Sequence, residues 1–277
     1  MTLIYPHEQL VDVSPYAGIE HNVTSLVNDI LQDESTLFLD QSTNPEMLSN
    51  QSIHFINGND PRSDVARALE AQVLHTEWKQ PVEETAEEMA SIEQSSSFFV
   101  LIEDTPAGPK TIGALRIAEA NSSIDLTETK NFFMRKYPDR VIPEGIDIQP
   151  GDNKLWDIVG VVTDSEHRDG KASNWLYHAL YKKSCDLEVP YWISNVHDKE
   201  YRNLDMLGIP FRQVEGTEKV TVQLGDKVYK FGFYALRVSD IRPQMEFKIS
   251  ELEAFQSFGT KWKIASMSRI AINGSTH

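Results

Sequence analysis

A single cysteine, Cys185, stands among 277 residues. One thiol can form neither an internal disulfide nor a cysteine metal cluster. The HExxH and paired CxxC spacings of metal sites are absent. So are the GxSxG nucleophile elbow, the GxGxxG dinucleotide fingerprint and the GxxxxGK[ST] phosphate loop. Gly170-Lys171-Ala172-Ser173 lacks the first glycine of that loop and has Ala after the Lys. No apolar run approaches the ~20 residues of a membrane span. The opening residues, MTLIYPHEQLVD, lack the basic stretch and apolar core of a secretory signal, so a cytoplasmic protein is expected. Positive charge is scarce, with 26 Lys and Arg against 42 Asp and Glu and a net charge of −16. Nonspecific nucleic-acid binding needs a basic surface and is not expected. An acidic surface would steer a cationic partner such as an amine, and it serves solubility equally well.

What is present is a folded-domain composition, 40% hydrophobic and 25% charged. The length suits one large domain with additions or two small ones. The most informative stretch is 156–180, WDIVGVVTDSEHRDGKASNWLYHAL. Residues 156–163 read as a buried strand, 164–171 as a donor-rich turn, and the rest as a helix with Ala172, Leu176, Ala179 and Leu180 on one face. A strand feeding a helix N-terminus this way suits an anion, because first-turn amides lack partners within the helix and the dipole favours negative charge. An ordinary βα turn with a polar loop reads the same way.

The segment resembles the acyl-CoA motif of the GNAT superfamily of acyltransferases, in which a strand ends in a Q/R-x-x-G-x-G/A loop that holds the coenzyme A pyrophosphate. With Arg168 in the first position, Lys171 and Ser173 occupy the small positions. With His167 there, Gly170 and Ala172 do. The resemblance implies a cofactor loop of Arg168, Asp169, Gly170, Lys171, Ala172 and Ser173. Basic residues near it, Arg168, Lys171, Lys182 and Lys183, would offset the acidic surface.

The order of elements fits the same family over 52–238. A strand is expected at 52–58, helices at 63–78 and 81–94, and a hairpin of 97–103 with 110–118. The strand 156–163 and its helix follow, then a strand at 191–196, a helix at 198–207 and a hairpin of 219–224 with 228–236. The implied fold is α/β, a GNAT-like mixed central sheet with a splayed parallel pair, flanked by helices. Gly160 interrupts the first central strand, as at a bulge or a close backbone approach; tight packing under a helix is the other reading. In the resembled family the splay exposes backbone groups that pair with pantetheine, here Gly160, Val161, Val162 and Thr163. Residues 1–51 and 239–277 are terminal additions, with a helix expected at 23–31, a short extended piece at 36–40 and an amphipathic stretch at 249–258. They are expected to pack on the core or on a second subunit, as in a homodimer. Residues 119–153 form an insertion with a basic patch, Lys130, Arg135, Lys136 and Arg140.

Acyl transfer from a thioester to an amine needs a proton acceptor for the amine, a donor for the oxyanion and a proton for the leaving thiolate. The resemblance points to Asp157 as the base, where the histone acetyltransferase branch has a glutamate. An Asp capping a loop or pairing with Lys154 or an arginine is the alternative. His197, at the end of the second central strand, is a further base candidate or a surface residue. The family's thiolate acid, a Tyr, falls here on Leu204, and Tyr201 lies nearly one turn earlier on the same helix. The donor implied is acetyl-CoA or another acyl-CoA, and the acceptor a small-molecule amine. A finer similarity, to GNAT-fold relatives of autoinducer synthases, implies longer acyl chains and acyl carrier protein as a donor. A GNAT-shaped binding module without catalysis is the competing reading.

Overall fold

The computed structural model describes residues 23–90, 92–119, 155–168, 170–214 and 217–256. Asp169, the basic patch of the insertion and residues 257–277 lie outside the described residues. The chain runs through α1 (Val23–Gln32), β1 (Leu37–Asp40), β2 (Gln51–Asn57), α2 (Asp64–Val73), α3 (Val82–Met89), β3 (Ser96–Thr105) and β4 (Gly108–Glu119). After the insertion come β5 (Leu155–Thr163), α4 (Lys171–Asp186), β6 (Tyr191–His197), α5 (Asp198–Met206), β7 (Arg212–Gln213), β8 (Val220–Leu224), β9 (Lys227–Arg237) and α6 (Ile241–Gln256).

Among the described residues nine strands form one sheet in the order β1-β2-β3-β4-β5-β6-β9-β7, with β8 on β9. β5 and β6 are parallel, and the other described pairings are antiparallel. This is the mixed sheet with a central parallel pair that the sequence leads one to expect. The extended piece before the expected first strand is β1, paired with β2, and the two-residue β7 is an addition to the expected order.

Two apolar layers cover the sheet. On one face Ala172, Leu176, Ala179 and Leu180 of α4 pack with Trp156, Ile158 and Trp192 of the central strands, and with Leu204, Ile241 and Met245. On the other, Val27 and Ile30 of α1 and Val65, Ala66 and Leu69 of α2 cover Phe98, Val100 and Ile102 of β3. Each fully buried side chain of this size contributes about 1.5–3 kcal/mol. Trp192 is buried with its Nε1–H donating to Ser184 Oγ at 2.8 Å, so its polar edge is satisfied.

Two helices differ from expectation. α3 ends at Met89 rather than near 94, and the hydroxyls of Ser95 and Ser96 both donate to the Ile92 carbonyl at 3.0 Å. Serines that bond the local backbone in this way compete with the helical ladder. α2 does continue to Trp78, but as a π turn, Leu74–Trp78, stopped by Lys79 in the left-handed region at φ 58°. Such turns widen the helix and re-aim its side chains.

Candidate active site

The centre of the site is the place where β5 and β6 part. Their register runs from Leu155↔Tyr191 to Ile158↔Ser194 and stops. Beyond it β5 stays with β4, pairing Gly160 to Thr163 with Arg116 to Gly113, while β6 stays with β9 through Asn195, Val196 and His197. A gap opens between 159–163 on one lip and 195–197 on the other. Backbone groups on the inner edge of each strand face it, where an extended chain can add as a strand.

A bulge accompanies the parting. Ile117 faces Ile158 but Arg116 faces Gly160, so Val159 is the extra residue. The bulge shifts the alternation of β5 by one. Ile158 and Val161 pack on the α4 side of the sheet, and Val162 packs on the α2 side. Asp157 and Gly160 both come to face α2, across from Ala118 and Arg116. Gly160 is not wedged under a helix: a Cβ there would meet only Glu70 Oε1, at 3.9 Å.

The loop after β5 leads to the N-terminus of α4 at the end of the gap. Gly170 caps it at φ +88°, a conformation that costs other residues about 1–2 kcal/mol. Ala172 is buried against the core, and Ser173 Oγ donates to the Gly170 carbonyl at 3.0 Å. Every basic side chain that ties down this loop meets a carboxylate. Arg168 Nη1 lies 2.8 Å from Glu77 Oε1 in the π turn, which holds Glu77 below the usual carboxylate range. His167 Nε2 lies 3.2 Å from Glu103, and Lys110 Nζ lies 3.2 Å from Asp164. An anion here therefore relies first on the helix amides and dipole. Lys182 and Lys183, expected near the loop, sit eleven and twelve residues along α4, roughly 17 Å away at 1.5 Å per residue. Their ammonium groups lie over the rings of Phe38 and Phe55 instead. The length of the helix thus corrects the expectation that they lie near the loop.

The acid–base candidates are spread around the gap. Asp157 is completely buried between Ala118 and Ile193, on the paired side of the parting point. His197 ends β6 and caps α5: its Nδ1 accepts the Glu200 N–H at 3.2 Å. That bond assigns the ring hydrogen to Nε2, and burial pushes the His197 pKa down, so the imidazole is neutral and offers a donor. Tyr201 stacks on Tyr234 at 4.7 Å and packs on the α4-side core, as does Leu204, which is 1% exposed. His178, read from the sequence as a helix-face residue, is buried with Nε2 3.2 Å from Asn44 Nδ2.

Three features of the gap escaped the sequence reading. Asn195 lies on the β6 lip, facing the α2 side with Ile193 and His197, and its Oδ1 is buried with no hydrogen-bond partner among the described residues. Trp78, His197, Tyr229 and Phe231 form an aromatic rim, with neighbouring rings 5.3–6.3 Å apart. Glu70 of α2 reaches the back of Gly160. A signal existed for Glu70. It interrupts the apolar stripe of Val65, Ala66, Leu69 and Val73, where a charge is expected only with a partner.

No protein-family model matches the sequence, and no curated protein matches it. Several solved structures resemble it. FeeM, an N-acyl amino acid synthase from uncultured soil microbes, is 14% identical over 70% of this chain and 95% of its own, with a TM-score of 0.42. The AHL synthase LasI is 11% identical over 68% and 90%, with a TM-score of 0.47. Spermidine N-acetyltransferase from Vibrio cholerae is 11% identical over 70% and 99%, with a TM-score of 0.43. Likeness at these identities concerns the course of the chain alone. The structures similar to this chain thus include N-acetyltransferases and acyl-homoserine lactone synthases, the two groups that its sequence resembles.

Proposed function

We propose that the protein is an N-acyltransferase that moves an acyl group from an acyl-CoA to a small-molecule amine. The observation that carries this reading is the parting of β5 and β6 after Ile158 and Ser194, with the N-terminus of α4 at the end of the gap. Pantetheine would add to the open edge of Val161, Val162 and Thr163. The pyrophosphate would rest on the α4 amides around Gly170, Lys171, Ala172 and Ser173, with Asp169 and Arg168 beside it. Acetyl-CoA is the simplest donor; a longer acyl-CoA or an acylated carrier protein would present the same pantetheine arm.

The amine must arrive neutral at the thioester carbonyl, so a group on the α2 face of the gap has to take its proton. Asp157 faces that side from just behind the parting point. His197, with its Nε2–H, would orient the acceptor or donate to the oxyanion. Tyr201 is the hydroxyl on α5 assigned to the leaving thiolate. One observation favours the second reading, a module that binds acyl-CoA without catalysis: the acid position of the resembled family holds the buried, hydroxyl-free Leu204.

Calorimetric titration with coenzyme A, acetyl-CoA and octanoyl-CoA tests the donor site. Binding to the wild-type chain, lost in Gly170→Glu, is the expected result. No binding to any of the three sinks the acyl-CoA reading. Thiol release in the presence of methylamine or hydroxylamine then separates transfer from binding alone.

A further inference from the structure

A buried charge cluster lies on the α2 side of the sheet, directly behind the gap. Arg116 of β4 has a side chain that is 0% exposed, with Nη2 2.9 Å from Glu70 Oε2 and Nη1 3.0 Å from Glu93 Oε1. Arg67 of α2 lies 2.7 Å from Glu93 and 2.7 Å from Asp64. The guanidiniums of Arg67 and Arg116 lie over the Phe98 ring at 5.2 and 4.6 Å respectively. Two cations thus face three carboxylates, and Asp157 of β5 lies on the same side of the sheet. Within it the Arg116–Glu70 pair is withdrawn from water, whereas Glu93 and Asp64 keep 21% and 32% of their side chains exposed.

Among these carboxylates Glu70 is the one that reaches the reaction gap. Its Oε2 forms an ion pair with Arg116 at 2.9 Å without hydrogen-bond geometry, while Oε1 stands 3.9 Å from the Cβ position of Gly160. Any side chain at 160 would come between Glu70 and the open edge of β5. The bulge at Val159 turns Gly160 toward Glu70 in the first place. Across the gap stands Asn195, whose buried Oδ1 lacks a donor among the described residues. An ammonium group entering the gap would find one acceptor on each lip.

We propose that Glu70, in place of Asp157, which is completely buried on the paired side of the parting point, is the catalytic proton acceptor for the attacking amine, with Arg116 beside its carboxylate behind Gly160 and Asn195 accepting a second amine hydrogen. This rests on the acyl-transfer reading. An ammonium acceptor gives one proton to Glu70. The neutral nitrogen adds to the thioester carbonyl carbon, the C–N bond forms and the C–S bond breaks. The departing sulfur takes the remaining extra proton, giving amide and coenzyme A thiol. Burial raises the Glu70 pKa above the usual carboxylate range, with Arg116 opposing, which suits a group that must hold a proton for part of the cycle.

The test compares wild type, Glu70→Gln and Glu70→Asp with acetyl-CoA and octanoyl-CoA as donors. Methylamine and ethylamine are the protonated acceptors, and hydroxylamine is an acceptor already neutral at pH 7. Coenzyme A titration checks that each variant keeps the donor site, and Glu70→Asp serves if the Gln variant does not fold. The expected result is a fall in kcat with the alkylamines of about 100-fold or more in Glu70→Gln, with an unchanged KM for the donor. The deficit should shrink as pH rises, and hydroxamate formation should survive. Alkylamine turnover by Glu70→Gln equal to that of wild type would overturn the role while leaving acyl transfer intact. Equal loss of amide and hydroxamate formation would also overturn it, because a merely structural role predicts that pattern. A wild-type chain that acylates neither hydroxylamine nor an alkylamine overturns acyl transfer itself, and the role of Glu70 with it.

Discussion

Ser194 Oγ donates to the carbonyl of Ile158 at 2.8 Å, tying β6 to β5 at the last residue pair before the strands part. The bond is buried, so its loss leaves a carbonyl less well satisfied and lets the parting point move back along the strands. Ser194→Ala is expected to cost about 1 kcal/mol of stability. It should also weaken donor binding, because the width of the gap is set there. Urea midpoints and coenzyme A titration on the same variant check the two effects. A stability loss without a change in binding would separate the tie from the gap.

Arg168 is the one loop cation assigned to the pyrophosphate, and it is engaged by Glu77. Both side chains are more than a third exposed, so the pair is worth less than about 1 kcal/mol. Glu77→Gln should therefore tighten coenzyme A binding, by roughly fivefold at most. Arg168→Ala should weaken it, and the difference between the variants should fade at high salt. Titrations at two ionic strengths decide this.

Two buried histidines make the fold acid-sensitive. His54 lies between Thr36 Oγ1 and Ser52 Oγ, each 2.9 Å away, and burial followed by the nearby Arg62 pushes its pKa down to about 4. Burial and Lys182 push His178 down to about 4 as well. The unfolded chain binds these protons more readily, near 6.5, so stability rises with pH across this interval. The contribution is complete above about pH 6.5 and is lost as pH falls toward 4, at most about 3 kcal/mol for each residue. Urea midpoints between pH 4.5 and 7.5 should fall steeply in wild type and less so in His54→Gln. An equal slope in both would refute the assignment.

Arg116 separates two carboxylates that share its guanidinium. Arg116→Met takes from Glu70 its paired guanidinium, while Glu93 keeps Arg67, at an expected cost of about 3–5 kcal/mol. The loss should be smaller at pH 5 than at pH 8, because Glu70, already raised, can then take a proton. Adding Glu70→Gln to Arg116→Met should restore part of the stability at pH 8, measured by the same denaturation curves.

Much of this architecture is carried by local pattern. The apolar strand 156–163, the 3.6-residue spacing of Ala172, Leu176, Ala179 and Leu180, and the Gly225-Asp226 turn each specify their element from within a few residues. The order of those elements then restricts the pairing, because parallel neighbours need a crossover of a dozen or more residues, which the helix between 156–163 and 191–196 supplies. Gly160 marked the irregular strand, but the extra residue of the bulge is Val159, since register depends on the partner strand as well.

The sequence by itself determined the elements and the loop at the head of α4, set by periodicity and turn chemistry, and its resemblance to a known family implied the mixed sheet with a central parallel pair. Only the tertiary structure decided which charges meet. Lys182 and Lys183 share a helix with the loop yet rest on Phe38 and Phe55, because eleven and twelve residues of helix carry them away from it. Glu70 is 90 residues from Gly160 in the chain, and nothing in either neighbourhood names the other. The packing of α2 across the sheet joins them, and burial then makes that carboxylate different from the many solvated ones around it.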